Sequence, residues 1–112
     1  VMKKDCLGPT HLLESVGDVL GIYEDPVFIS KQFQLASGDR IFVYTDGVAN
    51  ASWLDAESGT RKKLEQAEFD GILLKHRHVL LDKMVACVWQ DILDFCENKP
   101  RDDMLFLGIE IP

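Results

Sequence analysis

Apolar residues recur at three- and four-residue steps late in the chain, at Leu80, Met84, Cys87, Val88, Ile92 and Phe95. That spacing predicts an amphipathic helix over residues 80–95 with one apolar stripe packed on a sheet. Asn98-Lys99-Pro100-Arg101 ends the helix, since proline cannot continue it, and residues 104–111 predict a closing strand. Further upstream the period changes to two. Val27, Ile29, Phe33 and Leu35 alternate, with Lys31 the one break, as in a strand with one buried face. Ser37-Gly38-Asp39 is a tight turn, and residues 40–45 form a nearly continuous β-branched and aromatic run. Together these predict an antiparallel hairpin closing at Asp46-Gly47.

The remaining segments are weaker. Strand character around His11-Leu12-Leu13-Glu14-Ser15 is flanked by the turn signals Gly8-Pro9 and Gly17-Asp18. Residues 49–59 are small and polar and predict a loop with one helical turn. Thr60 is the predicted N-cap of a helix carrying Leu64, Ala67 and Ile72, with Asp70 and Gly71 weakening its second half. The chain contains no internal repeat and no low-complexity tract. The predicted fold class is α+β, a mainly antiparallel sheet covered by two helices.

Composition narrows this picture. At 112 residues the chain is one domain at most, and 46% hydrophobic with 28% charged residues is a globular mixture. A net charge of −7 argues against nucleic acid or an anionic membrane as partner and leaves room for cations and basic protein surfaces. No apolar run approaches the ~20 residues of a membrane span, and the N-terminus lacks a signal-peptide layout, so a soluble, cytoplasmic protein is expected. Cys6, Cys87 and Cys96 are odd in number without CxxC spacing, which points to neither a disulfide framework nor a zinc site. Cys87 and Cys96 fall on the helical pattern and read as small core residues. His11, His76 and His78 are scattered with no neighbouring nucleophile, and His76-Arg77-His78 reads as an exposed linker. Trp89 reads as packed at the edge of the helical stripe, Trp53 as a residue of an active-site rim, and Glu65, Glu68 and Asp70 as a solvated helix face.

Two acidic features carry the candidate chemistry. In Tyr44-Thr45-Asp46-Gly47-Val48 a carboxylate follows a buried strand, and Gly47 permits a sharp turn beside it. Asp102-Asp103 are adjacent carboxylates just before the last strand, and a hard divalent cation relieves repulsion between such neighbours. Each also has a plain reading, an Asp-Gly turn for the first and a solvated acidic loop for the second.

The order of these features is more specific than either alone. Leu20-Gly21-Ile22, then Ser37-Gly38-Asp39 opening a strand that closes on YTDGV, then two helices and Asp102-Asp103 opening a final strand, resembles the back half of the sporulation stage II protein E-like branch of the metal-dependent, type-2C-like serine/threonine protein phosphatases. The resemblance runs from about Leu20 to the end and implies that residues 1–112 are the C-terminal portion of such a domain, a truncated piece of its β-sandwich. It assigns catalytic, metal-holding roles to Asp46 and Asp102, with Asp103 as a further metal neighbour and Gly47 as turn support. It implies two Mn2+ or Mg2+ ions in the complete domain and a phosphoprotein substrate, an anti-sigma-factor antagonist being one candidate class. The family's early acidic motif has no counterpart here, and Leu105 stands where a threonine is usual. The expected consequences are an enzymatic parent protein, a poorly active segment, and self-association through an uncovered sheet edge or face. A degenerate, non-catalytic binding or sensor module is the alternative.

Overall fold

The computed structural model describes residues 1–5 and 8–112; Cys6 lies outside the described residues. The elements are β1 (Arg40–Tyr44), α1 (Asp46–Ala49), β2 (Ser52–Leu54), β3 (Arg61–Lys63), α2 (Gln66–Lys75), α3 (Leu81–Phe95) and β4 (Phe106–Glu110). The α+β class holds, and the main sheet is antiparallel and lies against α2 and α3.

The helical stripe is the most faithful of the predicted elements. Met84, Val88 and Ile92 are fully buried on α3, Cys96 is buried at its end, and Cys87 and Phe95 are half-buried. Leu80 lies just outside the helix as an exposed N-cap. The C-terminus closes through two residues in the left-handed region, Glu97 at φ 54 and Asn98 at φ 56. The Asn98 amide donates to the Leu93 carbonyl at 2.8 Å and the Glu97 amide to that of Asp94 at 3.1 Å, a Schellman closure. Helix α2 starts at Gln66, where Glu68 accepts the Glu65 amide at 2.9 Å. Thr60 is therefore not its cap; it lies in the loop of the β2–β3 hairpin, whose first strand falls in the predicted loop over 49–59 and whose second falls where the helix was expected to begin.

The hairpin expected between residues 27–35 and 40–45 does not form. β1 pairs instead with β4, from Arg40 opposite Glu110 to Tyr44 opposite Phe106. The reason lies in Asp39, whose carboxylate accepts from Lys3 Nζ at 2.7 Å, the Ala36 amide at 2.9 Å and the Lys4 amide at 3.0 Å. These bonds tie the turn to the first residues of the chain, and the Gly38 amide reaches the Ile111 carbonyl at 2.7 Å. Residues 27–35 are left without a ladder, and around His11–Ser15 no strand is present either. Val16, Val19, Leu20, Ile22, Val27 and Phe28 are all exposed along this arm. The Cα radius of gyration, 16.3 Å, exceeds the ~13 Å of a compact chain of this length.

The two faces of the main sheet differ sharply. Phe42, Tyr44 and Phe106 face the core, with Phe42 stacked on Phe106 at 5.5 Å and Tyr44 edge-on to Phe69 at 4.9 Å. On the other face Val43 stands opposite Leu107 and Ile41 opposite Ile109, and Val43, Leu107 and Ile109 are exposed. Among the described residues no helix is long and apolar enough to cross a membrane.

Candidate functional site

β1 delivers the first acidic motif. Its last residue is followed by Thr45 in extended conformation, and Asp46 opens the four-residue α1, anchored by the fully buried Val48. β4 delivers the second motif to the same end of the sheet, since Tyr44 pairs with Phe106. The two turns are clasped through Thr45. Its amide donates to the Leu105 carbonyl at 3.1 Å, its hydroxyl accepts the Leu105 amide at 3.0 Å and donates to the Asp103 carbonyl at 3.3 Å. The clasp depends on a hydroxyl between Tyr44 and Asp46, and nothing in the spacing of acidic residues marks it.

Gly47 serves this contact in a way different from the expected one. Its φ is not positive, so the turn does not require glycine conformationally. A β-carbon at position 47, however, would lie 2.2 Å from the Asp103 carbonyl oxygen and 2.9 Å from its carbon. The glycine is needed for close approach of two backbones.

Asp46, Asp102 and Asp103 are exposed. Among the described residues none of the three enters an ion pair. Asp102 is engaged locally, its Oδ1 accepting the Asp103 amide at 2.8 Å. The arrangement places carboxylates on adjoining turns, none of them held in an ion pair among the described residues, and their hard oxygens suit a divalent cation. The set is right in chemistry and short in number: among the described residues no group of three or more His, Cys, Asp or Glu side chains is placed to hold a metal ion.

Beside the acidic turn, Trp53, Arg61, Glu97, Lys99 and Arg101 line a cleft of about 390 Å³. Trp53 sits on β2 with Lys62 Nζ 5.0 Å from its ring, and Arg101 immediately precedes Asp102. Trp89 is half-buried next to Val85, Met104 and Leu105, at the edge of the stripe as expected.

Two groups expected to be solvated are structural. Asp70 is buried and accepts from the Thr10 hydroxyl and from Gln66 Nε2 at 3.1 Å, because α2 turns that position toward the chain's first segment. Burial, with a smaller contribution from Asp70, raises the pKa of the Tyr44 hydroxyl. His76 is half-buried with Nε2 2.7 Å from Asp91 Oδ2, which Lys75 Nζ also reaches at 2.9 Å. Burial would raise the Asp91 pKa, but hydrogen bonds from Lys75 and His76 outweigh it and lower the value. Arg77 Nη2 donates to the Lys4 carbonyl at 2.9 Å, so the segment between the helices is an anchored corner, and of His76, Arg77 and His78 only His78 is exposed.

A family model described as "Stage II sporulation protein E (SpoIIE)" matches residues 2–112, nearly the whole chain. No curated protein and no solved structure matches.

Proposed function

This chain belongs to the stage II sporulation protein E family of PPM-type phosphatase domains, and from that premise we propose that it forms the C-terminal portion of a metal-dependent centre that hydrolyses phosphoserine or phosphothreonine on a regulatory protein. The observation that carries the reading is the clasp at Thr45, which holds the Asp46 turn and the Asp102-Asp103 turn together across 58 positions of sequence. Asp46 and Asp102 would hold the cation, with Asp103 beside them, and Mn2+ or Mg2+ fits their hard oxygen donors. A divalent cation held there would supply Lewis acidity, lowering the pKa of a bound water and offsetting charge on phosphoryl oxygens.

The protein's own contribution is positional. Val48 and the β1–β4 ladder fix the acidic turns, and Thr45 sets their separation. The cleft beside them offers Arg61, Lys99 and Arg101 against one carboxylate, a local positive surface in a chain of net charge −7. That surface supports an anionic phosphoprotein substrate, for which an anti-sigma-factor antagonist remains one candidate class.

The test is manganese titration and phosphopeptide turnover of the full-length polypeptide with Asp46→Asn and Asp102→Asn. We expect each substitution to weaken metal affinity by about tenfold or more and to lower turnover in parallel. Unchanged affinity and turnover in both variants would sink the assignment. The shortage of a third ligating side chain favours a second reading, a phosphatase-like binding module without activity. Full-length protein that binds its partner yet shows no manganese-dependent turnover would establish it.

A further inference from the structure

A cleft of about 320 Å³ opens at the end of the main sheet away from the acidic turns. Lys3, Lys4, Gly38, Arg40, Arg77 and His78 line it, and Glu110 is the one carboxylate among its lining residues. Arg40 opposite Glu110 marks this end of the ladder and Tyr44 opposite Phe106 the other, so about 14 Å of strand separates the cleft from the Asp46 turn. Four of the chain's twelve Lys and Arg side chains converge here from three stretches of sequence, in a protein of net charge −7. Repulsion among them opposes that convergence, and an anion seated between them relieves it.

The donors are held in place by the main chain. Arg40 Nε donates to Glu110 at 2.6 Å and Nη1 to the Arg77 carbonyl at 3.1 Å, which leaves Nη2 without a partner among the described residues. Arg77 in turn donates to the Lys4 carbonyl at 2.9 Å. Lys3 is committed to Asp39 and to the Gln34 carbonyl, each at 2.7 Å. The stem of Lys4 lies along Gly38, where a β-carbon would stand 2.4 Å from Lys4 Cδ and 3.2 Å from Cε. Among the described residues neither Lys4 Nζ nor the His78 ring has a hydrogen-bonding or ionic partner.

We infer that this cleft is a binding site for a phosphate-class dianion, with Arg40 and Lys4 as its principal donors and His78 at its rim. A guanidinium held by backbone and an ammonium arriving from another segment approach one point from different directions. A tetrahedral phosphate group presents oxygens to both, whereas a carboxylate presents two oxygens in one plane. Free inorganic phosphate and a phosphoryl group on a serine or threonine side chain share this chemistry.

The test is an NMR titration of the chain, free of divalent cations and at fixed ionic strength, with inorganic phosphate, a phosphoserine peptide with glycine flanks, and acetate. Saturable shifts are expected at the amides of Lys4, Gly38, Arg40 and His78, with those of Thr45 and Asp46 unmoved. Lys4→Gln should weaken binding by about tenfold. Lys63→Gln removes the same charge from exposed β3 and should leave affinity unchanged. Tighter binding of the peptide than of phosphate would identify the source as a phosphorylated protein, and the reverse would identify free phosphate. Shifts that do not saturate, an equal response to acetate, or equal weakening by the two substitutions would overturn the inference and leave only diffuse surface charge. With no divalent cation present the acidic turns are silent, so this outcome is separate from that of the phosphatase reading.

Discussion

Thr45 and Leu105 exchange two hydrogen bonds, amide to carbonyl at 3.1 Å and amide to side-chain hydroxyl at 3.0 Å, across 60 positions of sequence. The hydroxyl is thus a main-chain partner for a strand that has run out of ladder. Thr45→Val keeps the shape and leaves the Leu105 amide unserved, at a cost of about 1–2 kcal/mol. Thr45→Ser should retain most of the stability. Urea unfolding of both variants checks this, and equal stabilities would show the hydroxyl to be dispensable.

Gly47→Ala should be costlier than an ordinary glycine replacement in a helical turn. The added carbon meets the Asp103 backbone, which cannot rotate away as a flexible side chain could. A loss of about 1–3 kcal/mol is expected, together with movement of the Asp102-Asp103 turn. Thermal unfolding measures the first effect, and changes in the amide resonances of Asp103 and Met104 report the second.

At the end of α3, Glu97 occupies a left-handed conformation without help from its side chain. Glycine adopts that conformation freely. Glu97→Gly is expected to stabilise the protein by about 0.5–1 kcal/mol, a rare gain from deleting a side chain. A lower melting temperature in the variant would contradict the Schellman closure.

Asp39 gives the protein an acid-sensitive joint. Hydrogen bonds from Lys3 first, then from the Ala36 and Lys4 amides, lower its pKa from 3.8 to about 2. A depressed carboxyl pKa contributes stability that is complete above the unfolded value and disappears as pH falls through the folded one. Stability should therefore decline between pH 4 and 2, and Asp55 and Asp91, also lowered, act in the same direction. Asp39→Asn should flatten the pH dependence in that window, measured by unfolding at stepped pH.

The cross-strand pairs Val43–Leu107 and Ile41–Ile109, exposed at Val43, Leu107 and Ile109, form a contiguous apolar face on the main sheet. We expect the chain to self-associate through it, with light scattering showing mass rising with concentration. Val43→Thr with Leu107→Thr should return it toward a monomer. Unchanged association in the double variant would move the contact to another surface.

How much of this was legible in the sequence depends on where each residue found its partner. The stripe of Met84, Val88 and Ile92 was readable because a helix's period is local. The β1 run was readable as a strand, but its partner was not. Alternation at residues 27–35 promised a hairpin, whereas Asp39 bonds to Lys3 and Lys4 settled the pairing from a distance no local rule reaches. The β2–β3 hairpin was missed because Arg61, Lys62 and Lys63 are exposed and carry no apolar alternation. At the site, the acidic turns were visible as motifs, but their adjacency depends on the β1–β4 pairing, which the sequence pattern did not predict. The Thr45 clasp and the true reason for Gly47 were not visible, because both arise from one backbone meeting another.

Arg40 and Glu110 stand opposite each other 70 positions apart, joined by an ion pair at 2.6 Å. During synthesis, therefore, the first strand of the main sheet waits for residues 106–110 before it can pair. Until they leave the ribosome, Phe42 and Tyr44 and the apolar stripe of α3 have no closing strand. Folding of this region is consequently a late and slow event, and the interval before it is when a chaperone has most to bind.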